Sequence, residues 1–291
     1  MYKLFAIIEE TIREARARKT LIGVFIISSV LILLSLLIFQ SSVVQDNVHR
    51  QSTEVFRQKN KTNPSQEKSM AVQSAIQTTV EDAVGVVIAE ILFFFTVCIG
   101  LFATAGLTTS IFEKGSIDLL ISKPVPRWLI ILGRYIGSVA IIFIEVTYFV
   151  LGLWVVAGIS FGTWGLSSLS SIAFVTLGYA GLFALVTLFG VLWKSSWLAI
   201  ILGLVIYFIT GMVIPLVEKA DELLQGGGFT GVLGAIAKVL HWVLPPMSDV
   251  ASNMHHAMIG QPIEWIPIVM TVALGVVYLS LASFSFARKE F

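Results

Sequence analysis

The chain has 291 residues, of which 56% are hydrophobic and 13% are charged. Soluble globular domains are about 45–50% apolar and about 25% charged, so this composition excludes an ordinary soluble protein and indicates an integral membrane protein surrounded by lipid. Nineteen Lys and Arg residues nearly balance eighteen Asp and Glu residues, which excludes a basic nucleic-acid-binding protein. Because Cys98 is the only cysteine, an intrachain disulfide and a cysteine metal cluster are excluded as well.

The N-terminal segment, residues 1–19, has the pattern of an amphipathic helix. Apolar residues recur at steps of three or four, and charged residues occupy the rest of each turn. The apolar positions are Leu4, Phe5, Ile8, Ile12 and Ala15. Such a helix is suited to lie in the cytoplasmic membrane interface before the chain enters the membrane. An ordinary positively charged flank is the alternative.

Six apolar stretches are long enough to cross a membrane. A helix needs about 20 mostly apolar residues to span a hydrocarbon core about 30 Å thick. The predicted spans are residues 20–40, 83–112, 135–159, 166–192, 196–217 and 264–287. The uncharged run between Glu145 and Lys194 is too long for one span, so it must turn back near Trp164. We therefore predict an all-α integral membrane protein, with residues 1–19 as an elbow helix and residues 20–291 as a six-span domain.

The basic residues predict the orientation of these spans. Twelve of the nineteen lie in residues 1–19, in the loop 113–134, at position 194 and after the last span, whereas seven lie in the loops 41–82 and 218–263. Because Lys and Arg are enriched in cytoplasmic loops, both termini are predicted to be cytoplasmic and the latter two loops to be external. An apolar stretch at 229–244, followed by Pro245, predicts a short re-entrant or interfacial helix.

The cytoplasmic loop 113–134 has the features of a docking element. It begins with a charged turn, continues as a short amphipathic helix and breaks at Pro124 and Pro126. Leu119 and Leu120 stand beside Asp118, so apolar and charged groups are presented together. This combination favours binding of a cytoplasmic protein, with a solvated connector as the alternative.

The order of residues in 113–127 resembles the signature loop of the type-two exporter permeases of ATP-binding-cassette transporters. The matching elements are a glutamate, Gly-Ser, Asp-Leu-Leu and Ser-Lys-Pro-Val-Pro-Arg. The elbow helix, the six-span layout and the proline-bearing loop before the last span extend the resemblance over nearly the whole chain. The long loop after the first span is most similar to the permeases of copper-enzyme maturation and gliding motility.

This resemblance implies the partners of the chain. A permease of this kind forms a homodimer, or a heterodimer with a sister permease, on two cytoplasmic ATP-binding subunits in a prokaryotic cytoplasmic membrane. The elbow helix and the loop would contact the ATPase, which uses ATP and Mg²⁺, whereas this chain needs no cofactor. The expected coupling residues are Glu113, Gly115, Asp118, Leu119, Leu120, Lys123, Pro124 and Arg127. The long outer loops suggest an extracytoplasmic accessory protein.

Two acidic residues lie inside predicted spans. Glu145 comes eleven residues after Arg134, which corresponds to about 16 Å along a helix. Because such a group is costly in lipid, Glu145 is expected either to line a substrate path or dimer interface, or to be a protonated carboxyl bonded to a neighbouring helix. The suggested bonding partners are Tyr148, Tyr179 and Tyr207. Glu90 lies closer to the outer face and is interpreted as structural.

Methionine and histidine residues cluster after Pro246. Thioether and imidazole groups suit copper(I), which makes Met254, His255, His256 and Met258 candidate ligands. No metal-site spacing is met, however, and both residue types also pack ordinarily at membrane interfaces. We therefore expect no metal here.

The chain lacks the motifs of an enzyme. It contains no G-x-x-x-x-G-K-[ST] phosphate loop, so ATP must be hydrolysed by another chain, and no H-E-x-x-H protease motif. The sequence thus predicts a permease that moves an unidentified substrate with the help of a separate ATPase. A secondary transporter and a membrane anchor without an ATPase are the alternatives, although no internal repeat supports the former.

Overall fold

The computed structural model describes residues 2–17, 19–39, 93–112, 126–162, 164–223 and 229–288, and in these ranges it contains helices and no strand. The helices are α1 (Tyr2–Ala17), α2 (Thr20–Phe39), α3 (Phe93–Thr109), α4 (Arg127–Phe161), α5 (Ser171–Trp193), α6 (Ser196–Phe208), α7 (Ile214–Leu223), α8 (Phe229–Val243), α9 (Met247–Met258) and α10 (Trp265–Arg288). Short 3₁₀ turns at Ser110–Phe112 and Leu166–Ser170 extend α3 and precede α5, and a π turn at Ile209–Val213 joins α6 to α7.

Four helical segments are long and apolar enough to cross a membrane. They are Arg127–Ser160, Leu166–Trp193, Ser196–Ala220 and Trp265–Arg288. The pair formed by α1 and α2 gives a fifth candidate, bent by 67° at the break between the two helices. This confirms an all-helical protein that spans the membrane several times. Six spans and cytoplasmic termini stay predictions, since part of the second predicted span lies outside the described residues.

Two tight turns join consecutive spans where the sequence predicts them. Gly162 ends α4 with a φ of 71°, and its N–H donates to the carbonyl of Gly158. Lys194 ends α5 with a φ of 55°, and its N–H donates to the carbonyl of Gly190. A left-handed residue after the last helical turn reverses the chain while satisfying a terminal carbonyl.

The start of α4 differs from the predicted boundary. The helix begins at Arg127, directly after the extended residue Pro126, so the last eight residues of the predicted loop 113–134 are helical. The predicted third span, which starts at residue 135, therefore lies within a longer helix, and where that helix enters the membrane stays a prediction.

Helix α5 lies at the centre of the bundle and packs against α4, α6, α9 and α10. Its residues Tyr179, Leu182 and Phe183 are fully buried. Glycines permit the close approach of its neighbours: a Cβ on Gly181 would lie 2.4 Å from a methyl group of Thr271 on α10. In lipid, where no hydrophobic force drives helices together, such small-residue contacts are a main source of association.

The end of the bundle opposite α1 carries α7, α8 and α9. The fifth predicted span ends near residue 217, but helical structure continues to Leu223. Helix α8 covers the stretch predicted as a re-entrant or interfacial helix, and α9 follows Pro246. The imidazole of His241 on α8 lies 3.3 Å from the Asp249 carboxylate on α9 and 3.9 Å from that of Glu218 on α7, and so connects the three helices.

Candidate functional site

Helix α1 is seated on two glycines of α4. A Cβ on Gly133 would lie 2.7 Å from Cγ2 of Ile7, and one on Gly137 would lie 2.8 Å from Cβ of Thr11. The two glycines form a G-x-x-x-G pair on one face of α4, opposite residues of α1 that are also four apart. Ile7, Thr11 and Ala15 are buried, whereas Phe5 is 73% exposed. The predicted elbow helix therefore exists, but it packs on a transmembrane helix along a face centred on Thr11.

Arg134 joins three elements next to this contact. Its Nη1 lies 2.7 Å from Oε2 of Glu14 on α1, 2.6 Å from the carbonyl oxygen of Leu107 and 2.6 Å from the hydroxyl of Ser110, so its two hydrogens are shared among three acceptors. The Arg134 side chain is 4% exposed and that of Glu14 is 22% exposed. Bonds between ionised groups are roughly twice as strong as neutral ones. Arg134 thus links α1 and the end of α3 to α4.

Most of the predicted coupling residues, from Glu113 to Pro124, lie outside the described residues. Arg127 is described and occupies the first turn of α4. Its Nη1 donates to the carbonyl of Ala287 in the last turn of α10 at 3.3 Å. A cation at this position interacts favourably with the negative end of the α10 helix dipole. Arg127 therefore links the first turn of α4 to the last turn of α10.

Glu145 is buried between α4 and α2, 1% exposed. The hydroxyl of Ser28 donates to its Oε1 at 2.8 Å, and its Oε2 has no hydrogen-bond partner among the described residues. The predicted contact with a neighbouring helix is present, but its donor is a serine. Tyr148 bonds instead to Ser29, and Tyr179 bonds to a threonine of α3. Among the described residues, Glu145 is thus enclosed by α2 and α4 of its own chain, and its role in a substrate path or dimer interface stays a prediction.

A cavity of about 600 Å³ opens between α3, the α6–α7 segment and α9. Aromatic and methionine side chains form much of its wall, and Ser248, Ser252 and His255 line it from α9. One wall is the π turn, which precedes Pro215, a residue without an N–H to continue the helical ladder. Apolar surface with a few polar groups is typical of a site for a small molecule. The further lining residues are Phe93, Phe94, Tyr207, Phe208, Gly211, Met212, Met247 and Ala251.

The chain matches the family model described as ABC-2 family transporter protein over residues 5–291. The chain belongs to this ABC-2 transporter family. No individual curated protein matches it at a significant level. Since the match covers nearly the whole chain, it confirms the family that the 113–127 loop and the span layout indicated.

As a member of the ABC-2 family, the chain is a multi-pass membrane component of an ABC transporter. Such a permease belongs to the transport machinery and is generally not itself an enzyme. The family implies association with an ATP-binding subunit. The joined elements at the α1 end of the bundle are therefore next to the segment that the sequence predicts as the ATPase contact.

The methionine and histidine candidates of this ABC-2 permease all lie on α9. Met254 is fully buried in the hydrophobic core, and Met258 packs against this core. Nε2 of His255 and Nδ1 of His256 are buried without a hydrogen-bond partner among the described residues, and the two ring centres are 6.4 Å apart. In the described part of the chain, no group of three or more His, Cys, Asp or Glu residues could hold a metal.

Sequence reasoning missed the role of Arg134, which it counted only as a cytoplasmic charge. One available signal was the position of Arg134 directly after Gly133 in the G-x-x-x-G pair. A second was its spacing from Glu145, since eleven residues are close to three helical turns and place both side chains on one face of α4. That face carries the contacts of α4 with α1 and α2.

Proposed function

We propose that the chain is the permease subunit of an ABC transporter that moves a molecule across the cytoplasmic membrane with ATP hydrolysed by separate subunits. The observation that carries this proposal is the family match over residues 5–291 of a chain with several membrane-spanning helices. Two permease copies with two ATP-binding subunits form the transporter, and both permease termini face the cytoplasm. A secondary transporter or an anchor is less compatible with family membership.

The contacts at the α1 end of the bundle support a route for the movement. Residues 113–125 stand between Phe112, at the end of the turn after α3, and Pro126, directly before α4. Motion of an ATPase bound there acts on α4, which holds α1 through Arg134 and α10 through Arg127. These helices then shift together, and the second permease copy is displaced against them.

Contacts within the membrane extend this route from α1 to α2. Ser28 bonds to Glu145, and Ile32 lies against Gly152, seven residues further along α4. The two helices therefore run in the same direction, with α2 following α4 over two turns. A displacement of α4 moves α2 with it, because a separate movement would leave the Glu145 carboxyl without its donor.

The proposal is tested by purifying the tagged full-length chain from its native host in mild detergent, identifying bound subunits and measuring ATP hydrolysis. A stoichiometric ATP-binding subunit is the expected result. The double variant Asp118→Ala/Leu120→Ala should lose this subunit or its coupling, because it removes a charge and an apolar contact from the docking segment. The matched control is Leu216→Ala/Lys219→Ala, which removes an exposed leucine and an exposed charge from α7.

Two results contradict the proposal at different levels. Purification of the chain alone under gentle conditions, with no ATPase, would favour the secondary-transporter or anchor alternative. Normal binding and ATP hydrolysis by the Asp118/Leu120 variant would retain the permease assignment but remove the docking role of these two residues.

A further inference from the structure

The ion pair between Arg134 and Glu14 is much less exposed than an ordinary surface ion pair. The Arg13–Glu9 pair on α1 has side chains 78% and 72% exposed, whereas the side chains of Arg134 and Glu14 are 4% and 22% exposed. An exposed pair contributes little to stability, but a buried charge is tolerated only if its partners are held in place. Arg134 therefore requires α1 and the end of α3 to stay in fixed positions.

The bonds of Arg134 join the residues before the predicted docking segment to the residues after it. Leu107 and Ser110 precede residues 113–125 in the chain, and Arg134 follows them at the second turn of α4. Glu14 belongs to neither flank, since it is on α1, 120 residues away from Arg134. A single side chain thus links the described residues on either side of the segment to each other and to the elbow helix.

Close packing reinforces the same connection. Ile7 and Thr11 occupy the surface left by Gly133 and Gly137, directly beside Arg134. A second small cluster, formed by Ala15, Leu107 and Ile141, again combines α1, α3 and α4. The bonds of Arg134 and these two apolar contacts hold α1 in direct contact with the described residues that flank the docking segment.

We infer that Arg134 is the positioning residue that makes the elbow helix and both flanks of the docking segment move as one unit during the ATP cycle. This inference rests on the proposed function and adds to it the side chain through which the movement of the ATPase reaches α1. Arg134 does not contact ATP in this scheme. Its role is to keep α1 and α4 from sliding when force is applied to residues 113–125.

The test measures movement of α1 in the purified permease–ATPase complex. Spin labels are attached at Glu10→Cys on α1 and at Val239→Cys on α8, which is not among the helices held to α4. Both positions are exposed, and the labels are placed in a Cys98→Ser background without other cysteines. The distance between the labels is compared without nucleotide and after trapping with ATP and vanadate. The variants are Arg134→Gln and Glu14→Gln. The second replaces the carboxylate that Arg134 contacts on α1 by a neutral amide, and it serves if Arg134→Gln does not fold.

The matched control is Arg288→Gln, the same chemical change at an exposed arginine that stacks on Phe284 of its own helix. We expect a nucleotide-dependent distance change in the unmodified complex and in Arg288→Gln. In Arg134→Gln and Glu14→Gln we expect this change to be lost while ATP hydrolysis by the partner continues. A merely structural role would lower the yield or stability of the complex and leave the distance change of the surviving complex intact.

The remaining outcomes separate the inference from the proposed function. An unchanged distance response in both variants overturns the inference and leaves the permease assignment in place. The absence of any response in the unmodified complex also overturns it, since there is then no movement of α1 to transmit. If no ATP-binding subunit co-purifies, the proposed function fails and the inference fails with it.

Discussion

The buried Ser28–Glu145 pair makes a quantitative prediction about the α2–α4 contact. Substituting Ser28→Ala removes the donor to Oε1, and Oε2 already lacks a partner among the described residues. A buried polar group left unsatisfied costs about 1–3 kcal/mol. Because Glu145 is 1% exposed, water cannot replace the serine without a local rearrangement. We therefore expect Ser28→Ala to lower the free energy of unfolding by an amount in this range.

The chain offers a matched control one residue away. The hydroxyl of Ser29 donates to the carbonyl of Phe25 at 2.7 Å and bonds to Tyr148 at a partly exposed position. Surface substitutions without a special role usually change stability by about 0.5 kcal/mol or less, and Ser29→Ala should fall near that limit. The comparison thus separates two effects on the free energy of unfolding: losing the buried bond to Glu145 and losing any serine hydroxyl on α2.

A double variant tests the physical reason for the cost. Replacing both partners of a buried hydrogen bond by apolar groups is nearly neutral, whereas removing one partner is not. Ser28→Ala/Glu145→Leu should therefore be more stable than Ser28→Ala alone. Unfolding of the purified chain is followed by circular dichroism at increasing denaturant in one detergent. Equal effects of Ser28→Ala and Ser29→Ala, or additive losses in the double variant, would refute the reasoning.

The remaining predictions concern the α2–α4 contact within the membrane and the contacts of α8. A Cβ on Gly152 would lie 2.3 Å from Cδ1 of Ile32, so Gly152→Ala should destabilise by about 1–3 kcal/mol, and Ile32→Val should relieve part of this loss. Gly23→Ala, with nothing within 4 Å of its added Cβ, is the neutral or stabilising control in the same unfolding assay. His241→Gln should increase hydrogen exchange in α8 because it removes the imidazole that contacts Glu218 on α7 and Asp249 on α9, and unchanged exchange would contradict this link.

Much of the helical framework was predictable because it depends on local properties of the chain. The fourth and sixth predicted spans, 166–192 and 264–287, agree with the observed helices to within about one residue, close to the usual uncertainty of helix ends. The turn at Gly162 was also predictable, since an uncharged run longer than the membrane must reverse. The turn at Lys194 was predictable from the short polar stretch between two tryptophans at 193–197. The 113–127 loop indicated the family because its order of charged, glycine and proline residues is distinctive.

The candidate site was predictable only in part, because its residues come from distant parts of the chain. Arg134 and Glu145 were both noticed, one as a cytoplasmic charge and the other as a costly intramembrane acid. Their partners, Glu14 and Ser28, are 120 and 117 residues away and have no local pattern that points to them. The tyrosines suggested for Glu145 were plausible donors by chemistry, but two of them bond to other hydroxyls.

The sequence by itself determined that this protein is helical and membrane-embedded, because hydropathy reports how each segment partitions between water and lipid. The order of residues in 113–127 indicated the ABC-2 family, which the family match confirms. The sequence could not determine which face of each helix packs against which neighbour. A helix can rotate about its axis in lipid with little change in its free energy of transfer from water to lipid. Only the tertiary structure decided that α4 presents Gly133, Arg134 and Glu145 to α1 and α2. The physical reason is that close packing at glycines and the satisfaction of buried polar groups depend on pairs of helices.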